Sequence, residues 1–168
     1  KTPPMVSSDP IDRLNTVTVG VISDTHGQLH PQVRRLFEHV DLIVHAGDVC
    51  GHGVIEGLRE IAPLHAVSGN CDSSEANPGL PGFDLFSAGG RNVAVIHILQ
   101  KLLINPAAAG VDVVVYGHTH IAAVERVDGV LYVNPGSAGP PRFGRGRSVA
   151  ILNITASVID AEIVEFGS

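Results

Sequence analysis

Tryptophan is absent from this chain of 168 residues, and aromatic residues make up only 4% of it. A core must therefore be assembled from Val, Ile, Leu and Ala, and the aromatic-rich surface on which single-stranded nucleic acid stacks is missing. Positive charge is scarce too: 11 Lys and Arg face 17 Asp and Glu, for a formal net charge of −6. Tight nucleic-acid binding, which depends on a basic face, is not expected from that balance. A small phosphate-bearing ligand stays compatible with it, because bound cations reverse the local sign. No apolar run approaches the ~20 residues that span a bilayer, so no membrane partner is expected. Cysteine occurs only as Cys50 and Cys71, too few for a disulfide framework. The pair reads as small buried thiols in a reducing, cytoplasmic protein.

What the chain does have is a hydrophobic content of 44% against 17% charged residues, the balance of a globular protein. Lys1 to Thr16, with Pro3, Pro4 and Pro10, reads as a flexible leader, and residues 17–168 as a single domain. Val17 to Ile22, Leu42 to Ala46 and Leu64 to Val67 have the composition of buried strands. Helical spacing separates them: Val33, Leu36, Phe37 and Val40 after Pro31, then Ile55, Leu58 and Ile61 within a helix from about Gly53 to Ile61. Successive strand-helix units imply a parallel sheet with helices packed on it.

The second half reads as mostly antiparallel. Gly89-Gly90 joins Phe83–Ala88 to Arg91–Ile96, and Asp128-Gly129 joins Ala122–Val127 to Val130–Val133. Leu99 to Ala109 is expected to be helical with a break at Pro106, Val111 to Tyr116 a buried strand, and Ser148 to Ile154 and Val158 to Phe166 the last two strands. The fold class is α/β: a four-layer αββα sandwich of two mixed β-sheets.

The apolar strands end in a repeated kind of residue. Asp24 and His26 follow the first strand, Asp48 the second and Asn70 the third; His97 ends a hairpin strand, and His118 and His120 follow the strand to Tyr116. Asp-x-His and His-x-His place two ligand groups on one side of an extended backbone, and the glycines before Asp48, Asn70 and His118 let the chain turn sharply. A lone Gly-Asp is usually a turn and a lone strand-end His a structural residue, but seven such residues in this order point to one crevice at the carboxyl ends of the strands. Two carboxylates, four imidazoles and one amide suit Mn, Fe, Zn, Ni or Co and no thiolate-type zinc site. Seven ligands suit two ions with a shared carboxylate.

The order Asp24-x-His26, Gly47-Asp48, Gly69-Asn70-x-Asp72, His97, Gly117-His118-x-His120, Asn134-Pro135-Gly136-Ser137 closely resembles the calcineurin-like metallophosphoesterases, in particular their small YfcE/Vps29-like group. The resemblance implies two divalent transition-metal ions, Mn first, with Ni, Zn, Fe or Co as alternatives. Asp24, His26, Asp48 and His120 would hold one; Asp48, Asn70, His97 and His118 the other. It also implies hydrolysis of a small phosphodiester by a metal-bridging hydroxide, with Asp48, Asn70 and His118 as the catalytic residues. Cys71 stands where many relatives carry a histidine, and Ile98-Leu99-Gln100 where a glycine, often followed by a second histidine, is usual. The runner-up function is a Vps29-like scaffold without catalysis; a homodimer is a further expectation. Arg142 either reaches a substrate phosphate or is solvated at the surface. His45 and His65 read as core residues or as partners that orient ligands, His30, His39 and His52 as solvated, and Asp72 as a structural cap.

Overall fold

The structure, a computed structural model, describes residues 16–72, 79–142 and 144–167. The leader, apart from Thr16, lies outside the described residues, as do residues 73–78, Phe143 and Ser168. Ten strands form two mixed sheets. The first has the order β10-β9-β1-β2-β3, from β1 (Val17–Ile22), β2 (Leu42–His45), β3 (Leu64–Ala66), β9 (Arg147–Ile154) and β10 (Ile159–Phe166). The second has the order β4-β5-β6-β8-β7, from β4 (Phe83–Ala88), β5 (Arg91–Ile96), β6 (Val113–Val115), β7 (Ala123–Val127) and β8 (Val130–Asn134).

Where neighbours are joined by tight turns they run antiparallel, as expected. At Gly89-Gly90 and Asp128-Gly129 both central residues have positive φ, the conformation whose twist suits a two-residue hairpin. The centre of the second sheet departs from the expectation. β5, β6 and β8 are parallel, with Val95 opposite Val115 and Val115 opposite Val133. The reason is connectivity: the chain from β5 to β6 crosses over the sheet, and β7 lies between β6 and β8 in sequence.

Three apolar layers follow from strand alternation. Val19, Val21, Val44, Val95, Val115, Val133 and Leu152 meet between the sheets. On the outer face of the first sheet, Ile22 and Ile43 lie under Val33, Phe37, Val54 and Leu58 from α1 (Gln32–Leu36) and α2 (His52–Arg59). The fourth layer is thin. Only a 3-10 turn, Leu99–Lys101, forms where a helix to Ala109 is expected. Leu102 is already extended (φ −69°, ψ 120°), and Pro106 removes a donor and disfavours helix at Asn105. Leu99 and Leu102 nevertheless cover Ala94, Val111, Val114 and Val130. Among the described residues no helix is long and apolar enough to cross a membrane.

Helix α1 also stops earlier than its apolar spacing suggests. Phe37 ends it and turns its ring flat onto the backbone of β1 at Gly20. A Cβ built there would lie 2.9 Å from the Phe37 ring. Substituting Gly20→Ala should cost about 1–3 kcal/mol in denaturant unfolding. Adding Phe37→Leu should recover part of the loss, making the pair less than additive.

One polar side chain is sealed in this core. His45, at the end of β2, is fully buried. Its Nδ1 accepts the Gly47 N–H (3.1 Å), so the proton sits on Nε2 and is donated to Thr25 Oγ1 (3.0 Å). Thr25 in turn donates to the Val49 carbonyl (3.1 Å). Burial, against weaker attraction from Asp72, pushes the His45 pKa down to about 3. The unfolded chain therefore binds a proton near pH 6.5 that the folded chain refuses. Stability tied to neutral His45 is complete above that value and lost as pH falls from 6.5 towards 3, with a slope of at most about 1.4 kcal/mol per pH unit. Unfolding of the wild type and His45→Gln over pH 7 to 4, in chelator, should show a shallower acid slope in the variant.

Candidate metal centre

All seven expected ligands come from loops at the carboxyl ends of strands, four of them from the first sheet and three from the second. The loops after β1 and β2 run side by side through backbone hydrogen bonds: Asp24 N–H to the Gly47 carbonyl (3.0 Å), His26 N–H to that of Asp48 (3.0 Å) and Gly27 N–H to that of Val49 (2.8 Å). The side chains do not converge by strand alternation as the Asp-x-His spacing suggests. Asp24, His26, Asp48, His118 and His120 all have φ between 48° and 72°, so five of the seven sit on left-handed residues. That conformation is costly for non-glycine residues and collects at functional sites. Of the three glycines preceding ligands, Gly47 has positive φ (101°). Gly69 serves space instead: a Cβ there would collide with the Asp48 carboxylate and backbone nitrogen.

Two clusters form around Asp24 and Asp48. Asp24 is fully buried. Its Oδ2 accepts from Ser23 Oγ (2.7 Å) and the His118 N–H (3.2 Å). Its Oδ1 faces three imidazoles: His120 Nε2 at 3.2 Å, His26 Nε2 at 3.9 Å and His97 Nε2 at 3.9 Å. Asp48 Oδ2 lies 3.3 Å from His97 Nε2 and 3.9 Å from His26 Nε2, and its Oδ1 accepts the Cys71 N–H (2.8 Å). Asn70 Oδ1 is 2.9 Å from His97 Nε2 and 3.1 Å from His118 Nδ1. His26 and His120 approach each other at 3.4 Å between Nε2 atoms.

Charge follows this geometry. Burial pushes the Asp48 pKa up, but hydrogen bonds from His97 and the Cys71 N–H outweigh it and hold the carboxyl well below the usual range. The same partnership reverses the effect of burial at His97 and raises its pKa. His26 goes the other way: burial prevails over the attraction of Asp48 and Asp24, and its pKa falls.

The donor set fits divalent cations. Among the described residues, Asp24 Oδ1 and His120 Nδ1 are the buried side-chain polar atoms without a hydrogen-bond partner, a costly state for a carboxylate oxygen unless a cation faces it. His97 donates Nδ1–H to the Ala46 carbonyl (2.8 Å). That bond fixes the tautomer and aims the other ring nitrogen at the cluster, the usual support of a metal-bound histidine. Ligand atoms of Asp24, His26 and His120, and of Asp24, Asp48 and His97, lie within 4.8 Å of one another.

The surroundings settle the remaining residues. Asp72 accepts from Cys50 N–H (2.7 Å), Gly69 N–H (2.8 Å) and Val49 N–H (3.2 Å), tying the loop after β2 to the loop after β3; it is structural, but as a clamp between loops and not a helix cap. His45 acts through Thr25. His65 lies away from the centre, paired with Asp84 (3.0 Å) and stacked on Phe86 across the edges of the two sheets. His39 and His52 are exposed, while His30 is half-buried with its ring edge-on to Phe166. Arg142 is exposed and lines, with His26, Asp48, Asn70, Cys71, His118 and His120, a shallow cleft of about 230 Å³. Cys50 and Cys71 are unpaired, Cys71 is exposed, and burial with the nearby Asp72 and Asp48 pushes the Cys50 thiol up to about 12.

Two supports have no role assigned from the sequence. Ser23 orients Asp24. Asn134, which stands in the motif Asn134-Pro135-Gly136-Ser137, donates to the Gly117 carbonyl (3.2 Å) and Thr119 Oγ1 (3.1 Å), holding the turn that carries His118 and His120.

Known proteins resemble this chain over most of its length. The family model of the calcineurin-like phosphoesterase superfamily domain matches residues 17–157. A probable metallophosphoesterase of Methanothermobacter thermautotrophicus is 33% identical over 162 residues, 89% of this chain and 93% of that protein. Phosphodiesterase YfcE of Escherichia coli K12 is 33% identical over 167 residues, 82% of this chain and 88% of its own. The solved structure of Vps29 from Cryptosporidium parvum is alike in fold alone, with a TM-score of 0.72 at 21% identity over 91% of this chain and 99% of that one. Left-handed residues in the loops after β1, β2 and β6, two buried carboxylates and four imidazoles thus sit within a chain that belongs to the calcineurin-like phosphoesterase superfamily, in its YfcE/Vps29-like group.

Proposed function

We propose that this chain hydrolyses phosphodiester bonds of small substrates and works with two divalent transition-metal ions, manganese before Ni, Zn, Fe or Co. The observation that carries the reading is the unpartnered Asp24 Oδ1, fully buried and faced by three imidazole nitrogens. Asp24, His26, Asp48 and His120 would hold one ion, and Asp48, Asn70, His97 and His118 the other. When bound, such ions supply an activated water and neutralise charge on the phosphate. The chain's own residues do the rest. Asp48 spans both groups of ligands, so it fixes their spacing. His118 and Asn70 stand exposed at the mouth of the cleft, where they meet a phosphate oxygen. Arg142 on the opposite rim offers a planar pair of donors to the same phosphate.

The preference for diesters rests on Cys71. It occupies the position after Asn70 in place of an imidazole, so the place beside that ligand lacks the positioned imidazolium that would protonate a poor leaving group. A phenolic or otherwise stabilised leaving group needs no such donor. The two unpaired cysteines suit a reducing cytoplasm, and the YfcE relative is itself named a phosphodiesterase.

Chelator-stripped protein should regain hydrolysis of bis(p-nitrophenyl) phosphate on addition of manganese, with p-nitrophenyl phosphate turned over more slowly. Asp48→Ala should lower diester turnover by at least about a hundredfold. No turnover with any metal, together with recovery of a stable protein partner, would instead establish a non-catalytic, Vps29-like scaffold. Asp72→Asn, which leaves every ligand in place, should weaken metal affinity about 10–100-fold, read by titration with a metal indicator.

A further inference from the structure

A second cleft, of about 390 Å³, opens beside the metal centre and shares Asn70 and His97 with it; its walls include Phe83, Ile96, Ile98 and Lys101. Its volume falls within the range of about 300–1,000 Å³ typical of small-molecule sites. Two independent features of the chain build it. The β4–β5 register sets Phe83 opposite Ile96, so both point out from the second sheet, and Phe83 stays 38% exposed. The 3-10 turn supplies the rest. Leu99 and Leu102, three residues apart, pack down on the sheet. Ile98 is the extended residue that opens the turn (φ −108°, ψ 110°); the Lys101 N–H closes the turn on the Ile98 carbonyl (3.0 Å), and both residues line the cleft. Lys101 is the one lysine among the described residues, and no described carboxylate pairs with it.

We propose that this cleft is the subsite for one arm of the diester, and that it selects an arm carrying a flat ring and a second negative charge, the chemistry of a nucleotide. The inference rests on the phosphodiesterase reading and narrows it to short nucleotide diesters. Phe83, Ile96 and Ile98 form an apolar platform for a base, which any aromatic ring offers through its face. Lys101 supplies a point charge for a further phosphate, while Arg142 lines the neighbouring cleft of the centre, which shares Asn70 with this one. Two adjoining clefts with one cation each suit a substrate that carries two phosphates. Long nucleic acid is a poor fit, since the chain carries a net charge of −6 and the cationic sites are these two single residues, not a stripe.

The test is calorimetric titration of the manganese-loaded full chain with inorganic phosphate, thymidine 5′-monophosphate and thymidine 3′,5′-bisphosphate. Affinity should rise in that order. Phe83→Ala should weaken both nucleotides about tenfold and leave phosphate unchanged, and Phe83→Tyr should restore them. Lys101→Met should weaken the bisphosphate alone, again about tenfold. Nucleotides that bind no tighter than phosphate, or a bisphosphate affinity indifferent to both substitutions, would overturn the subsite. Because binding is read without turnover, a protein that binds in the expected pattern yet hydrolyses no diester would count against the hydrolase reading and leave the subsite standing.

Discussion

Asp48 ties together more of this protein than any other side chain. Its backbone carbonyl holds His26, its Oδ1 accepts the N–H of Cys71, and its Oδ2 faces His97 and His26. Loops after β1, β3 and β5 therefore meet on one carboxylate that is only 3% exposed. A charge so far from water is stable only with cationic or hydrogen-bonding partners on every side. His97 and His26 gather on it for this reason, as His120 does on the equally buried Asp24, and the same constraint makes the cluster a ready receptor for divalent cations.

Holding those partners in place strains the backbone. Left-handed conformations at Asp24, His26, Asp48, His118 and His120 cost of order 1–2 kcal/mol each for non-glycine residues, least for Asp and Asn. The surrounding structure leaves no alternative path. His45 and Thr25 lock the loop after β1 onto that after β2, Asp72 clamps the latter to the loop after β3, and Asn134 fixes the turn after β6. The two sheets act as rigid jaws. Their Val- and Leu-rich interface stabilises the fold, and the carboxyl ends of their strands present the centre.

Much of this was legible in the sequence, for identifiable reasons. β1, β4 and β5 fall on the expected residues because uninterrupted apolar runs and a Gly-Gly turn are local signals. The residues that meet in the cluster were legible because polar groups of one kind recur where apolar strands end. The means by which they converge was not, since Asp-x-His reads as an extended pair and φ is invisible in the letters. The parallel centre of the second sheet was equally hidden: strand direction there depends on which neighbour β6 finds, a long-range choice. The role of Asp72 lies between these cases. Its spacing from Gly69 suggested a cap, but its partners Val49 and Cys50 come from another loop.

The failed helix after His97 is where fold and chemistry join. Ile98 is extended and the Lys101 N–H bonds to its carbonyl (3.0 Å), so one tight turn sets both residues on the cleft. Pro106 together with the extended Leu102 keeps the chain from continuing as the longer helix. Among the described residues this short segment covers the second sheet at Ala94 and Val114, and Phe83 stays 38% exposed. A thin fourth layer thus does more than economise on structure. It converts the rim of the cluster at Asn70 and His97 into a cleft with an apolar wall and one positive charge, and it does so with residues that differ from the glycine and histidine the family resemblance leads one to expect there.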